Sequence, residues 1–196
     1  MDRFVQRFPD FFSITDRPPL YLQKKETRNL NETAIDRLFL NFSAEKLQEL
    51  APRIEICLDR LSEEQVWARG QENENAIGNL VLHLCGNVRQ WIIASIGGQP
   101  DHRQRDGEFA ARGGTSKAQL LERLRTTVAE AAAVIRALPA ERLVERRVIQ
   151  GYEGSVLEAI YHVVEHFSMH TGQIIFATKM LTSADLGFYR HLQSQP

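Results

Sequence analysis

Apolar residues recur at intervals of three and four along most of this chain, the spacing that lines one face of an α-helix. Between about Asp36 and Leu61 the series is Leu38, Phe42, Leu47, Leu50, Ile54, Ile56, Leu58 and Leu61. Pro52 falls inside it and predicts a kink or two abutting helices, because proline removes a backbone donor and crowds the preceding turn. A polar link, SEEQVWARGQENEN, follows. A second helix is expected from an N-cap at Asn75 to about Ile96, where Gly97 and Gly98 stop it. Residues 97–115 then read as a loop. A third helix begins after Thr115 or Ser116 and runs to about Leu138, with an alanine-rich middle that favours helix and Pro139 beyond its end. LVERRVIQGYEG reads as a turn or short extended link, and a fourth helix spans roughly Ser155 to Leu181.

Four amphipathic helices without a convincing pair of strands predict an all-α fold, a four-helix bundle over residues 37–190. Residues 1–36 are patterned differently. Pro9, Pro18 and Pro19 interrupt short apolar clusters, and KKETRNLNET is polar without a clear period. This segment reads as an irregular extension, either disordered or docked on the bundle through Phe4, Phe8, Phe11 and Phe12.

Composition narrows the function classes. With 196 residues, of which 43% are hydrophobic, the chain can bury the core of one sizeable domain. A net charge of -1, with lysines and arginines spread along the chain, gives no field that gathers nucleic acid. No apolar run approaches the roughly 20 residues needed to cross a bilayer, and no secretory signal pattern opens the sequence. The two cysteines, Cys57 and Cys85, form neither a disulfide framework nor a CxxC metal pair. A cytoplasmic protein is the expectation.

Six histidines are present, and three lie in the fourth helix at 162, 166 and 170. At about 100° per residue an i,i+4 pair is offset by only about 40° and stacks on one face, the reason HExxH motifs bind zinc; the intervening Glu is missing here. Val156, Ile160, Val163, Val164, Phe167, Ile174 and Leu181 form the apolar arc of this helix. His170 lies within the arc, His166 at its edge, and His162 about another 40° outward. In the second helix His83 borders the apolar face of Ile77, Leu80, Leu84, Val88 and Trp91, with Asn87 one turn on. Cys85 is about 200° away from His83 and is excluded from the same site. A lone histidine at a core edge is usually a packing residue. Three at matched depth on two helices point to a metal site with His83, His166 and His170 as ligands, while His162 sits at its rim and His102 and His191 lie on the surface.

NAIGNLVLHLCGNVRQWI, PDHRQRDGEF and HVVEHFSMHTGQIIFATKML together resemble the DinB-like (YfiT-like) superfamily of metal-binding four-helix bundles, over roughly residues 37–190. The resemblance implies a divalent ion, commonly zinc or nickel, held by one histidine of the second helix and the i,i+4 pair of the fourth. Position by position these are again His83, His166 and His170. It also implies a homodimer, and activities like those of relatives that transfer bacillithiol or related low-molecular-weight thiols or isomerise maleylpyruvate with mycothiol.

Three neutral imidazoles leave an open coordination position, the hallmark of a catalytic rather than a structural zinc site, and they suit nickel, iron and copper as well. Such an ion would either hold a thiol as its thiolate or make bound water acidic enough for hydrolysis. No proton-transfer base stands out, since Glu165 points to solvent and Glu108 lies in a loop, so the catalytic residues stay unassigned. That favours a transferase that activates a low-molecular-weight thiol for attack on a small electrophile. The alternatives are a metal-dependent hydrolase and a non-catalytic dimeric metal-binding or stress protein. Asn87 and Gln173, one turn from the ligands, could orient an imidazole or a substrate, or be ordinary interfacial polar residues. Arg103, Arg105 and Arg112 could bind the carboxylates of an acidic thiol, or form a solvated loop. Trp91 reads as core; Tyr152 and Tyr161 have no assigned place.

Overall fold

The computed structural model of the chain describes residues 20–190, with side chains from Ala34 onward. The four phenylalanines of the extension and His191 lie outside the described residues. Cα proximity divides the chain into two units, Met1–Ile35 and Asp36–Pro196. The helices are α1 (Leu20–Asp59), α2 (Glu63–Val66), α3 (Ile77–Val88), α4 (Arg105–Ala110), α5 (Lys117–Ala137) and α6 (Val156–Thr182). The all-α reading holds, with one addition. A two-stranded antiparallel hairpin, β1 (Arg146–Ile149) and β2 (Tyr152–Ser155), occupies the stretch expected to be a link. Its two-residue turn places Gln150 at φ +54° and Gly151 at φ +81°, both left-handed as a tight hairpin requires.

Local chemistry explains most helix ends. Ser116 and Ser155 cap α5 and α6, each accepting from the backbone N–H three residues on, while Gln119 and Glu158 reach back to the cap backbone. The start of α3 departs from expectation. Its N-cap is Ala76 rather than Asn75; alanine offers no side-chain acceptor to the first turn, and Asn79 Oδ1 reaches back to accept from the Ala76 N–H at 3.1 Å. Beyond Val88 the helix widens over Arg89–Ala94 into a π turn, with Ser95 N–H reaching back five residues to the Gln90 carbonyl.

Pro52 lies inside one uninterrupted helix rather than between two. The buried apolar positions of α1 are Leu40, Ala44, Leu47, Leu50, Ala51, Ile54, Cys57 and Leu58, whereas Leu38, Phe42 and Ile56 are exposed. Two interleaved apolar series satisfy the same three-and-four spacing, and packing against the other helices selects one of them. α1 begins at Leu20, within the stretch that lacks an apolar period; its Lys, Glu, Gln and Leu residues carry helix propensity without amphipathicity.

Side-chain pairs fix the helix directions. Glu55 meets Arg125 and Gln48 meets Arg136, so α1 and α5 are antiparallel. Arg89 pairs with Glu130, and Gly97 approaches Val134, so α3 and α5 are parallel. His83 meets His166 and Trp91 meets His162, so α3 and α6 are antiparallel. The order is therefore up-down-down-up. A connection between the parallel helices α3 and α5 must travel the length of the bundle, and residues 95–116 do so beside α3, with α4 packed against it. The core includes Leu40, Ile54, Leu84, Leu124, Ile160 and fully buried Phe167. Among the described residues no helix is long and apolar enough to cross a membrane.

Candidate metal centre

His83 belongs to a turn of α3 that is buried all round, and it is itself 6% exposed. Across from it, α6 presents His166 and His170, one helical turn apart. The Nε2 atoms of His83 and His170 each lie 3.1 Å from His166 Nε2, and the three ligand nitrogens fall within 4.8 Å of one another. Four ligands at about 2.0–2.1 Å in a tetrahedron stand about 3.3–3.4 Å apart, so this spacing suits a three-histidine metal site. Among the described residues this is the one cluster of three potential ligands that converges so closely. Cys85 is no part of it. Burial pushes that thiol up to about 12, which makes it an inert core residue.

Behind the ring edges lies a second layer. His83 Nδ1 is 3.0 Å from the Glu108 carboxylate, and His170 Nδ1 is 2.6 Å from Gln173 Oε1. Each acceptor favours the tautomer in which Nδ1 carries the proton and Nε2 keeps its lone pair for a metal; Arg103 Nη2, 3.2 Å from His83 Nδ1, donates instead to the Glu108 carboxylate at 2.9 Å. His166 Nδ1 is buried without a partner. Desolvation, followed by the neighbouring His170, His83 and His162, drives His166 down to about 3 and holds that ring neutral. His170 and His162 are also lowered, chiefly by burial. Neutral imidazoles are the form that binds metal.

Glu108, which sequence left in a loop of unknown position, stands on α4 and is 7% exposed. Burial alone would raise its pKa, but bonds from His83 and Arg103 outweigh that and keep it a carboxylate. Arg103 donates to it through Nε at 2.8 Å and Nη2 at 2.9 Å, and to Gln90 Oε1 at 3.0 Å. The crossover brings this pair back beside α3. Asn79, fully buried, anchors it there by donating to the Glu108 and Ala111 carbonyls while accepting from Arg69 and the Ala76 N–H. Gly86 has its own reason. It lies one turn beyond His83, and any Cβ there would collide with the Glu108 carboxylate. Only glycine lets the acid reach the histidine.

The other residues singled out in the sequence separate clearly. Arg103 is not free for a substrate, because Glu108 occupies it. Arg112 Nη1 donates to the carbonyls of Phe109, Ala110 and Ala111, closing the end of α4. Arg105 is exposed and lies over the Phe109 ring. Asn87 is 3% exposed with its Oδ1 unpaired. Gln173 bonds His170, and His162 packs against Trp91 at a centroid distance of 4.4 Å with the rings tilted by 43°. Glu165 and His102 are exposed. A cavity of about 530 Å³ opens beside the triad, with His83, His166, Asn87, Trp91 and His162 on its helical walls and the hairpin across from them. Trp91 donates to the Gln150 side chain at 3.3 Å, tying the turn of the hairpin to the cavity wall. Asn79 and the Glu108–Arg103 pair carried no local sequence signal, and the hairpin was legible only as a turn or short extended link around Gly151.

Residues 34–190 match the family described as Protein of unknown function (DUF1572), and the chain belongs to that family. Among curated proteins none matches it. A solved structure, the conserved protein of locus from Enterococcus faecalis, is similar with a TM-score of 0.61 at 16% identity, covering 73% of this chain and 96% of that one. At that identity the likeness is one of fold.

Proposed function

We propose that this DUF1572 protein is a DinB-like metal-dependent transferase that activates a low-molecular-weight thiol for attack on a small electrophile. The observation that carries the reading is the convergence of the His83, His166 and His170 Nε2 atoms, two of whose rings, His83 and His166, line an open cavity. Zinc or nickel is the ion expected there, and when bound it would supply Lewis acidity and hold a thiol in its reactive, deprotonated form.

The chain's own residues do the positioning. Glu108 and Gln173 hold two of the imidazoles in one tautomer, and Arg103 keeps Glu108 ionised and aimed. Trp91, His162 and the hairpin wall the cavity beside the triad. The nearest acid, Glu108, is bonded to His83 and Arg103 and so is not available as a base for activating water. Delivery of a thiolate needs less base assistance than attack by water, which supports transfer over hydrolysis. A cytoplasmic homodimer belongs to the same reading.

The test is elemental analysis of the purified protein beside H83A, H166A and H170A. Stoichiometric divalent metal in the wild type, lost in the variants, is the expected result; a metal-free wild type, or retention in all three variants, overturns it. Conjugation of a panel of cellular thiols to a generic electrophile then tests the reaction, and turnover that needs no thiol would make the protein a hydrolase instead.

A further inference from the structure

The cavity beside the triad has charge on its outer wall that the metal does not explain. Arg105 has no carboxylate partner among the described residues; its guanidinium rests on Phe109 at 5.0 Å. On the facing hairpin, Arg147 donates through Nη2 to Glu145 at 2.7 Å, while its Nε is buried without a partner. Glu145 also accepts from Arg142 at 3.1 Å, so two guanidiniums share one carboxylate. The two acids on the same wall are engaged elsewhere. Glu153 pairs with Arg146, and Glu158 caps α6 through the Ser155 N–H and hydroxyl. Deeper in, Asn87 offers an unpaired Oδ1 on a side chain that is almost wholly buried and lines the cavity. A buried polar atom left unpaired is costly, so a donor entering the cavity that Asn87 lines would recover that cost.

We infer that the cavity takes a small organic carboxylate, held by Arg105 and Arg147, with an N–H or O–H of the same molecule donating to Asn87. The inference deepens the metal-site reading and rests on it for the orientation of the ligand, whose remaining end would face the histidines. Guanidinium groups favour planar carboxylates, and here they come from two elements, α4 and β1, so that the ligand bridges the crossover and the hairpin. The carboxylate could belong to the thiol or to the electrophile, and these sources are separable.

Calorimetric titration of the metal-loaded protein would use succinate and mercaptosuccinate, with succinamide and inorganic phosphate as comparisons. Succinate is expected to bind, and R105Q and R147Q each to weaken it by about tenfold or more with metal content unchanged. The control R89Q, whose arginine pairs with Glu130, should bind as wild type does. Equal affinity for succinamide or phosphate, or unchanged affinity in both arginine variants, overturns the inference. Removing the metal tests the other reading separately. If mercaptosuccinate loses its advantage over succinate on chelation, the thiol carries the carboxylate. If it has no such advantage while succinate binding still depends on both arginines, the carboxylate belongs to the electrophile. Succinate binding that depends on the arginines, in a protein that never holds metal, would leave the cavity assignment intact and defeat only the metal reading.

Discussion

Replacing Glu108 with alanine removes the acceptor for His83 Nδ1 and strands the Arg103 guanidinium, whose side chain is only 4% exposed. Outer partners of metal-bound histidines are worth about 10–100-fold in affinity, so E108A should weaken metal binding by that order, measured by competition with a chromogenic chelator. E108Q keeps an acceptor and should lose less. G86A should act on the same property from the other side of the contact, because its methyl group displaces the Glu108 carboxylate. If G86A binds metal as tightly as wild type, Glu108 does not orient His83. His166 gives a pH dependence. Its folded pKa lies near 3 and its unfolded value near 6.5, so the unfolded chain binds the extra proton between them. The metal-free protein should therefore lose stability as pH falls from about 6.5 toward 3, and H166N should flatten that dependence in denaturant titrations.

At the scale of elements, the helices were readable because their signals are local. Serine caps with Gln119 or Glu158 three residues on, the His166–His170 spacing and the glycines after α3 all lie within a few residues of what they determine. Leu38 and Phe42 show where such reasoning stops, since periodicity gives the spacing of a face and neighbours decide which face is covered. The Glu108–Arg103 pair was hidden for another reason. It reaches His83 only because α3 and α5 run parallel and the link between them doubles back, a property of the whole topology. Asn79 carries that return. N79A leaves the Glu108 carbonyl and the Ala76 N–H without their partner, at a cost of about 1–3 kcal/mol for each buried group left unsatisfied, while the Ala111 carbonyl keeps Arg69 and Arg112 as donors. We expect a lower melting temperature and faster amide exchange in α4, with α5 and α6 unaffected.

For the whole molecule, the three histidines border a core that runs through α1, α3, α5 and α6 without any help from a metal. Chelation should leave the helical circular dichroism intact and lower the unfolding free energy only by the ligand-linkage term, about 2.7 kcal/mol at 100 times the dissociation constant. A protein that unfolds outright on chelation would have a structural ion instead.

The separation of the ligands along the chain gives the site a place in time. His83 and His166 are 83 residues apart, and Glu108 lies between them. During synthesis α3 is complete long before α6 leaves the ribosome, and His166 with His170 offers only two of the three imidazoles. On the proposed reading an ion would be acquired after the bundle has closed, by a cavity whose shape is already set. Refolding rates should accordingly be the same with and without metal in stopped-flow experiments, with metal uptake following as a separate, slower phase.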